Sequence, residues 1–277
     1  MRRISPGLLV GFVVAASALA TAASAADLPV PAAPAPAPAP VYRPVIYDWT
    51  GIYGGINVGG GVLNDVVTNT TTTALLNAGT QTKLSPFAVV GGAQAGFNIE
   101  FAPFVIGAEG TFTWSDLSGT QVTPSLQPTI SENSVSTPQW YATVTGRAGF
   151  AANDFLFYAK GGAAWMGVHY TQNVVGAGIF QSGQTIVDTR SGFTVGGGIE
   201  FGMTENLSAR LEYDFLDFGT KTYNFNNLGF NAPGAAVGTP LTPVGAAPMS
   251  IKSVTQLITV GLNYRFNWAG GGAYVTR

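Results

Sequence analysis

Three kinds of residue are scarce in this chain: it has no cysteine, one histidine and only 9% charged residues. Without cysteine it forms no disulfide, and without a cluster of histidine and cysteine it lacks the usual ligands for zinc. About a quarter of the residues in soluble domains are charged, so this chain has too few charged residues to cover a surface that faces water on all sides. The formal net charge of −2 and the lack of a basic stripe argue against nucleic acid as a partner.

Long apolar runs are also scarce, and the one that could span a membrane as a helix lies at the N-terminus. Arg2 and Arg3 precede an apolar run at residues 8–20, and AASA at 22–25 offers a small-residue cleavage site. These features predict a cleaved signal peptide at 1–25 rather than an uncleaved anchor. Residues 26–46 are rich in proline and alanine, which favours polyproline II and predicts a periplasmic linker.

The remaining chain, residues 47–268, alternates apolar and polar residues with a period of two, which indicates strands. Eight alternating segments are joined by tight turns near 102–103, 153–154 and 205–206. The other four connections are long and polar, at about 64–85, 116–137, 171–190 and 220–250. Short turns at one end and long loops at the other are typical of outer-membrane barrels. We predict an all-β fold, an eight-stranded antiparallel up-and-down transmembrane β-barrel with short periplasmic turns and long extracellular loops.

A soluble sandwich or a lipocalin would also alternate, and the position of the aromatic residues distinguishes these folds from a membrane barrel. Aromatic residues gather at both ends of the segments, as expected for the two girdles of a membrane barrel. The periplasmic girdle is predicted to contain Trp49, Phe101, Phe104, Phe150, Phe155, Phe201 and Phe266, and the outer girdle Phe87, Trp114, Trp140, Trp165, Phe193 and Phe215.

The polar positions of the strands carry four acids and four bases, which would point into the lumen. They are Glu100, Glu109, Glu200 and Glu212 with Arg147, Lys160, Arg210 and Arg265. An eight-stranded barrel is just wide enough to be filled by its own side chains, and unpaired charges there would be costly. We therefore predict a salt-bridged plug, with an ion pathway as the alternative.

Catalytic and cofactor sites have little support in the sequence. The only histidine, His169, lies near the outer end of a strand on the lipid-facing parity, and no other histidine or cysteine could join it around a metal. GGGIEFG at 196–202 lacks the Lys-Ser/Thr of a phosphate loop. Asp188, Asp214 and Asp217 could bind cations near the rim, but scattered carboxylates are usually just solvated. We predict no enzyme activity and no cofactor.

Four segments resemble the alphaproteobacterial outer membrane immunogenic protein family, which belongs to the small porin-like, OmpA-like barrels. They are WTGIYGGINVGGG (49–61), GRAGFAANDFLFYAKGGAAW (146–165), GFTVGGGIEFGMTENLSARLEYDFLDFG (192–219) and VGLNYRFNW (260–268). The resemblance implies a structural and surface-interaction barrel of the bacterial outer membrane that supports envelope integrity. A small-solute or ion porin is one alternative. Another is a receptor for a surface ligand such as haemin, or for a host partner; axial iron ligation from the loops would need a tyrosine such as Tyr223.

The last strand ends in ITVGLNYRFNW, and the resemblance implies that it is the signal read by the barrel assembly machinery. The residues that carry this expectation are Gly261, Asn263, Tyr264 and Phe266. A tail at 269–277 follows, which departs from the usual aromatic chain end. The expected partners are outer-membrane lipid, lipopolysaccharide, the assembly machinery and an extracellular ligand at the loops.

Overall fold

The computed structural model describes residues 47–126, 130–176, 183–226, 228–231, 240, 242–243 and 247–266. Its strands are β1 (Gly51–Asn69), β2 (Gln81–Leu84), β3 (Phe87–Phe101), β4 (Phe104–Ser115), β5 (Gly119–Pro124), β6 (Ile130–Ala152), β7 (Phe155–Gly176), β8 (Gly183–Gly202), β9 (Leu207–Phe225), β10 (Gly229–Phe230), β11 (Thr242–Pro243) and β12 (Ala247–Phe266). The predicted signal peptide, linker and tail lie outside the described residues. Within those residues, no helix is long and apolar enough to cross a membrane.

Eight of these strands form a closed antiparallel cycle in the order β1, β3, β4, β6, β7, β8, β9 and β12. The cycle closes because β12 pairs with β1 in a continuous register from Ile52↔Phe266 to Asn69↔Met249. The predicted eight-stranded barrel is therefore confirmed. The three tight turns mark the turn end of the barrel, and the opposite end is the loop end.

Most strands are longer than the sequence indicated, and this corrects the predicted loops. β7 runs to Gly176 and β8 starts at Gly183, so most of the predicted loop at 171–190 is a hairpin of paired strands. β3 and β4 stop near the outer girdle, and the short strands β2 and β5 continue the wall above them, paired with β1 and β6.

The apolar side of the wall changes from outside to inside along each long strand. On β1, Ile52, Ile56 and Val58 point outward and are exposed, whereas Leu63 and Val67 point inward and are buried. The inward parity itself does not change, because Tyr53 and Asn57 occupy it at the turn end. The turn-end half thus suits hydrocarbon outside and polar groups inside, and the loop-end half suits water outside and an apolar core inside.

The aromatic residues follow this division. At the turn end, the exposed outward residues are Phe101, Phe104, Phe150, Phe155, Phe201 and Phe266; at the outer level, Phe87, Trp114, Trp165 and Phe193 are exposed, and Trp140 and Phe215 are half-buried. Neighbours pair across strands, as in Phe104↔Phe150 and Trp114↔Trp140. The ten residues between these levels of β4 span roughly 25 Å when strands tilt at about 40°.

Trp49 is the exception among the predicted girdle residues. It is only 2% exposed and packs at the turn-end mouth with Tyr47, Val105, Leu156 and Tyr158. It precedes β1 rather than starting it, so the strand's alternation does not apply to it. The prediction that Trp49 faces lipid was wrong.

Candidate functional site

A buried charge cluster fills the lumen of the turn-end half. It contains six of the eight predicted charged residues together with Asp214: Glu109, Arg147, Lys160, Glu200, Arg210, Glu212 and Asp214. Strand register brings them together, since Arg147 pairs with Lys160 and Glu200 with Arg210. All seven residues are less than 9% exposed.

Glu109 is the centre of this cluster. Its carboxylate lies 2.5 Å from Arg210 Nη1, 3.5 Å from Lys160 Nζ and 3.6 Å from Arg147 Nη1. Tyr53 Oη also donates to it, at 2.8 Å. Glycine makes room for these groups, because a Cβ on Gly96 would lie 2.5 Å from Tyr53 Oη.

Neutral polar side chains extend the network across the lumen. Glu200 accepts from Arg147 Nη2 at 2.9 Å and from Asn263 Nδ2 at 2.7 Å. Gln94 donates to Asn263 Oδ1 at 2.7 Å and accepts from Asn57 Nδ2 at the same distance. Hydrogen-bonded side chains therefore link opposite sides of the turn-end lumen beside the cluster.

Glu100 and Arg265 lie apart from the cluster, contrary to their predicted pairing in the lumen. Arg265 pairs with Asp48 at 3.3 Å and donates to the carbonyl oxygens of Thr50 and Glu205. Glu100 accepts from the backbone N–H of Trp49 at 2.9 Å. Both residues neighbour the turn-end girdle in sequence, so they reach the mouth instead of the middle of the lumen.

These two residues hold residues 47–50, the mouth strap, across the turn end. The N–H of Tyr47 donates to Asp154 Oδ1, and the Arg265 guanidinium lies 5.1 Å from the centre of the Tyr47 ring. The ring also covers Gly202, where a Cβ would lie 2.4 Å from it. The strap therefore closes the mouth below the charge cluster.

A second filling occupies the loop-end half, here called the head, which comprises β2, β5 and residues 63–69, 130–139, 166–176, 183–192, 216–225 and 247–257 of the long strands. Its core contains Leu63, Met166, Leu216, Phe225 and Ile251, all less than 2% exposed. Leu75, Leu76 and Leu228 from the connecting segments join this core. The lumen is thus packed on both sides of the outer girdle.

Arg190 is the one cation of the described chain that is buried in the head core. It donates to the carbonyl oxygens of Phe218, Gly219 and Ile251 and to the hydroxyls of Ser253 and Tyr170. Gly219 has a φ of +64°, beside the register shift between Lys252 and Val254. Arg190 therefore satisfies the carbonyls that this irregularity leaves unpaired. Sequence reasoning missed it because it lay in a predicted loop.

Glu132 is a buried carboxyl of the head, and its Oε1 has no hydrogen-bond partner. Burial raises the pKa of Glu132 from 4.5 to about 7. Between pH 4.5 and about 7, Glu132 keeps its proton in the folded head but has released it in the unfolded chain. The stability of the head therefore falls by about 3 kcal/mol as the pH rises through this range. At pH 8, Glu132→Gln should slow protease cleavage of the head by about 100-fold, and at pH 4 it should have little effect.

Glu205→Gln is the control for this comparison. It removes the same kind of charge from an exposed position at the turn end and leaves the buried carboxyl of Glu132 in the head. Equal ratios of cleavage rates at both pH values for Glu132→Gln would contradict the proposed origin of the effect.

The remaining candidates are engaged in local contacts. Asp188 pairs with Lys221 at 2.7 Å and accepts from Tyr223 Oη, so this tyrosine is buried and occupied rather than presented at a loop. Asp217 accepts from the N–H of Gly219. His169 lies 3.4 Å from Gln139 Nε2 on the outside of the wall. Within the described residues, no group of three or more His, Cys, Asp or Glu could hold a metal ion.

The predicted assembly strand is β12, which closes the barrel. Tyr264 and Phe266 point outward, and their rings meet edge to face at 5.2 Å. Gly261 and Asn263 point inward.

Comparison with known proteins finds a matching family and several similar chains. Residues 11–238 match the family model described as outer membrane protein beta-barrel domain. The 31 kDa outer-membrane immunogenic protein of Brucella melitensis biotype 1 is 30% identical over 227 residues, covering 79% of this chain and 85% of the relative. The 25 kDa outer-membrane immunogenic protein of Brucella canis is 25% identical over 79% of this chain and 80% of the relative. The crystal structure of Ail from Yersinia pestis aligns with 78% of this chain and 99% of Ail, at 15% identity and a TM-score of 0.33.

Proposed function

Since the chain belongs to the outer membrane protein beta-barrel family, with the outer-membrane immunogenic proteins among its relatives, we propose that it is a closed barrel that supports the envelope and displays a rigid head. Its place is the bacterial outer membrane, where the turn end faces the periplasm and the head faces outward. The proposed role is structural and interactive, without a catalytic step.

One observation carries this proposal: the lumen is filled twice in series, by the buried charge cluster and by the apolar head core. The cluster alone could be regarded as a gate, because side chains that pair can also separate. An apolar core packed above it adds a second barrier, which water and ions would have to cross without polar partners. The mouth strap adds a third obstruction at the periplasmic end.

Bilayer conductance tests the closed barrel against the porin alternative. Refolded protein in planar bilayers should show negligible conductance, and so should Lys160→Ala and Glu200→Ala, because the head core remains packed above the altered cluster. Stepped currents that change with either substitution would establish a channel instead. The folded state of each sample is checked by its heat-modifiable migration in gels.

The head supports the interaction part of the proposal. Hydroxyl pairs line its outer surface, with Thr171 and Thr185 at 2.8 Å and Thr222 and Ser250 at 2.8 Å. Such a surface offers hydrogen bonds with little charge, which suits the sugars of outer-leaflet lipopolysaccharide or an extracellular ligand. Among the described residues no contact favours haemin, because Tyr223 is already bonded to Asp188.

Envelope support is tested in a deletion strain. Loss of the protein should increase sensitivity to detergent, and expression of Lys160→Ala that folds should restore resistance as well as the unaltered chain does.

Assembly is expected to depend on β12 as the strand recognised by the barrel assembly machinery. Lowered insertion yield for Phe266→Ala, with normal yield for Phe101→Ala, would support that role.

A further inference from the structure

The buried charge cluster contains one more acid than base. Its acids are Glu109, Glu200, Glu212 and Asp214, and its bases are Arg147, Lys160 and Arg210. Glu100 and Arg265 cannot correct the count, because both are engaged at the mouth. Above the cluster, Leu216 and Leu257 begin the apolar core. With every carboxyl ionised, one negative charge would remain uncompensated in a packed lumen surrounded by hydrocarbon, which is very costly.

The excess is located at Glu212 and Asp214, two residues apart on the inward face of β9. Both acids depend on Lys160, whose Nζ lies 2.7 Å from Glu212 Oε1 and 3.2 Å from Asp214 Oδ1. The same ammonium is 3.5 Å from Glu109. One base therefore serves three carboxyl groups, while Arg147 and Arg210 are directed mainly to Glu200 and Glu109.

The shared contact with Lys160 brings the two carboxyl groups close together. Glu212 Oε1 and Asp214 Oδ1 both face the same ammonium, at 2.7 and 3.2 Å, and two carboxylates held so near each other in a buried site repel unless one of them is protonated. No hydrogen bond of good geometry reaches Asp214 Oδ1, although the residue is only 8% exposed. Glu212 is the better-supported anion, because Tyr158 Oη also donates to its Oε2 at 2.7 Å.

We propose that Glu212 and Asp214 bind one proton between them, held chiefly on Asp214, so that the buried charge cluster has no net charge. The other charged and titratable groups facing this pair are Lys160, Arg210, Tyr158 and Glu109, which shares Lys160 and Arg210 with Glu212. Gly196 lies opposite Asp214 on β8. A neutral lumen lowers the cost of moving the folding barrel into hydrocarbon, since the charges then compensate one another completely. This proton belongs to the turn-end half of the lumen, whether or not the barrel conducts.

Infrared difference spectroscopy tests this assignment on the full chain refolded in detergent at pH 7. A protonated carboxyl has a carbonyl-stretch band that a carboxylate lacks. The spectrum of the unaltered protein minus that of Asp214→Asn should show one such band, and the exposed Asp116→Asn should show none. Lys160→Met removes a base, so a second proton should bind and the band should grow about twofold.

Two outcomes would overturn the proposal. Identical spectra for the unaltered protein and Asp214→Asn would show that the pair of Glu212 and Asp214 holds no proton. A missing band together with thermal unfolding that depends on sodium or potassium, relative to a bulky organic cation, would assign the site to a monovalent cation. If Lys160→Met fails to fold, the Asp214→Asn comparison still decides, because that variant replaces a neutral acid with a neutral amide of the same shape.

Discussion

Glu109→Gln is expected to lower the free energy of unfolding by about 3–5 kcal/mol, the usual cost of removing one partner from a buried ion pair. Glu109 contacts all three bases of the cluster, and Arg210 would keep only Glu212, at 3.4 Å. The amide also offers one acceptor oxygen where two now receive Tyr53, Lys160 and Arg210.

Urea unfolding in detergent micelles, followed by tryptophan fluorescence and heat-modifiable migration, measures this loss. Asp116→Asn is the matched control, since it removes one acid from an exposed position above the outer girdle. A loss for Glu109→Gln below about 1 kcal/mol, the range of surface ion pairs, would mean that the cluster contributes little to stability.

Gly59→Val is expected to prevent the barrel from closing. Gly59 lies in β1 opposite Thr259, at the pairing that joins the first strand to the last. A Cβ at this position would lie 2.0 Å from the carbonyl oxygen of Ile258 and 2.7 Å from the Cα of Thr259. Both are backbone atoms of β12, so the strain cannot be relieved by moving a side chain. Even Gly59→Ala should cost about 1–3 kcal/mol or more.

The measurement is the fraction of refolded protein that resists unfolding in detergent before heating. Gly54→Ala provides the control on the same strand, because a Cβ there faces outward and meets nothing closer than 3.6 Å. Equal folded fractions for Gly59→Ala and Gly54→Ala would show that β1 and β12 can separate enough to admit a side chain.

The barrel and most of the charge cluster were predictable because alternation and turn spacing are local properties of the sequence. The head was not predictable in this way, because the polar residues on its outer surface led us to predict loops for those segments. The strands continue through those segments, but beyond the outer girdle the inward face is apolar and the outward face is polar. Asp214 was placed at the rim for the same reason, although β9 continues eleven residues past it to Phe225.

The errors at the mouth have a different origin. Arg265 pairs with Asp48, and Trp49 packs under the cluster, because the mouth strap folds back across the barrel. The strap has no regular alternation, so no periodic pattern could place it. These contacts join residues that are distant in the sequence, and Arg265 and Asp48 are 217 positions apart.

The change of the apolar face from outside to inside along the strands also sets the depth of the barrel in the membrane and the height of the head above it. If the barrel moved along the membrane normal by the spacing between two successive outward-facing residues, hydroxyl groups would enter the hydrocarbon or phenylalanine rings would enter water. The depth of the barrel in the membrane is therefore fixed by the sequence. From Trp140 at the outer girdle to Ile130, β6 rises roughly 25 Å, about as far as the barrel descends through the lipid. The tip of the head therefore stands about one hydrocarbon thickness away from the outer girdle, on the side opposite the three tight turns.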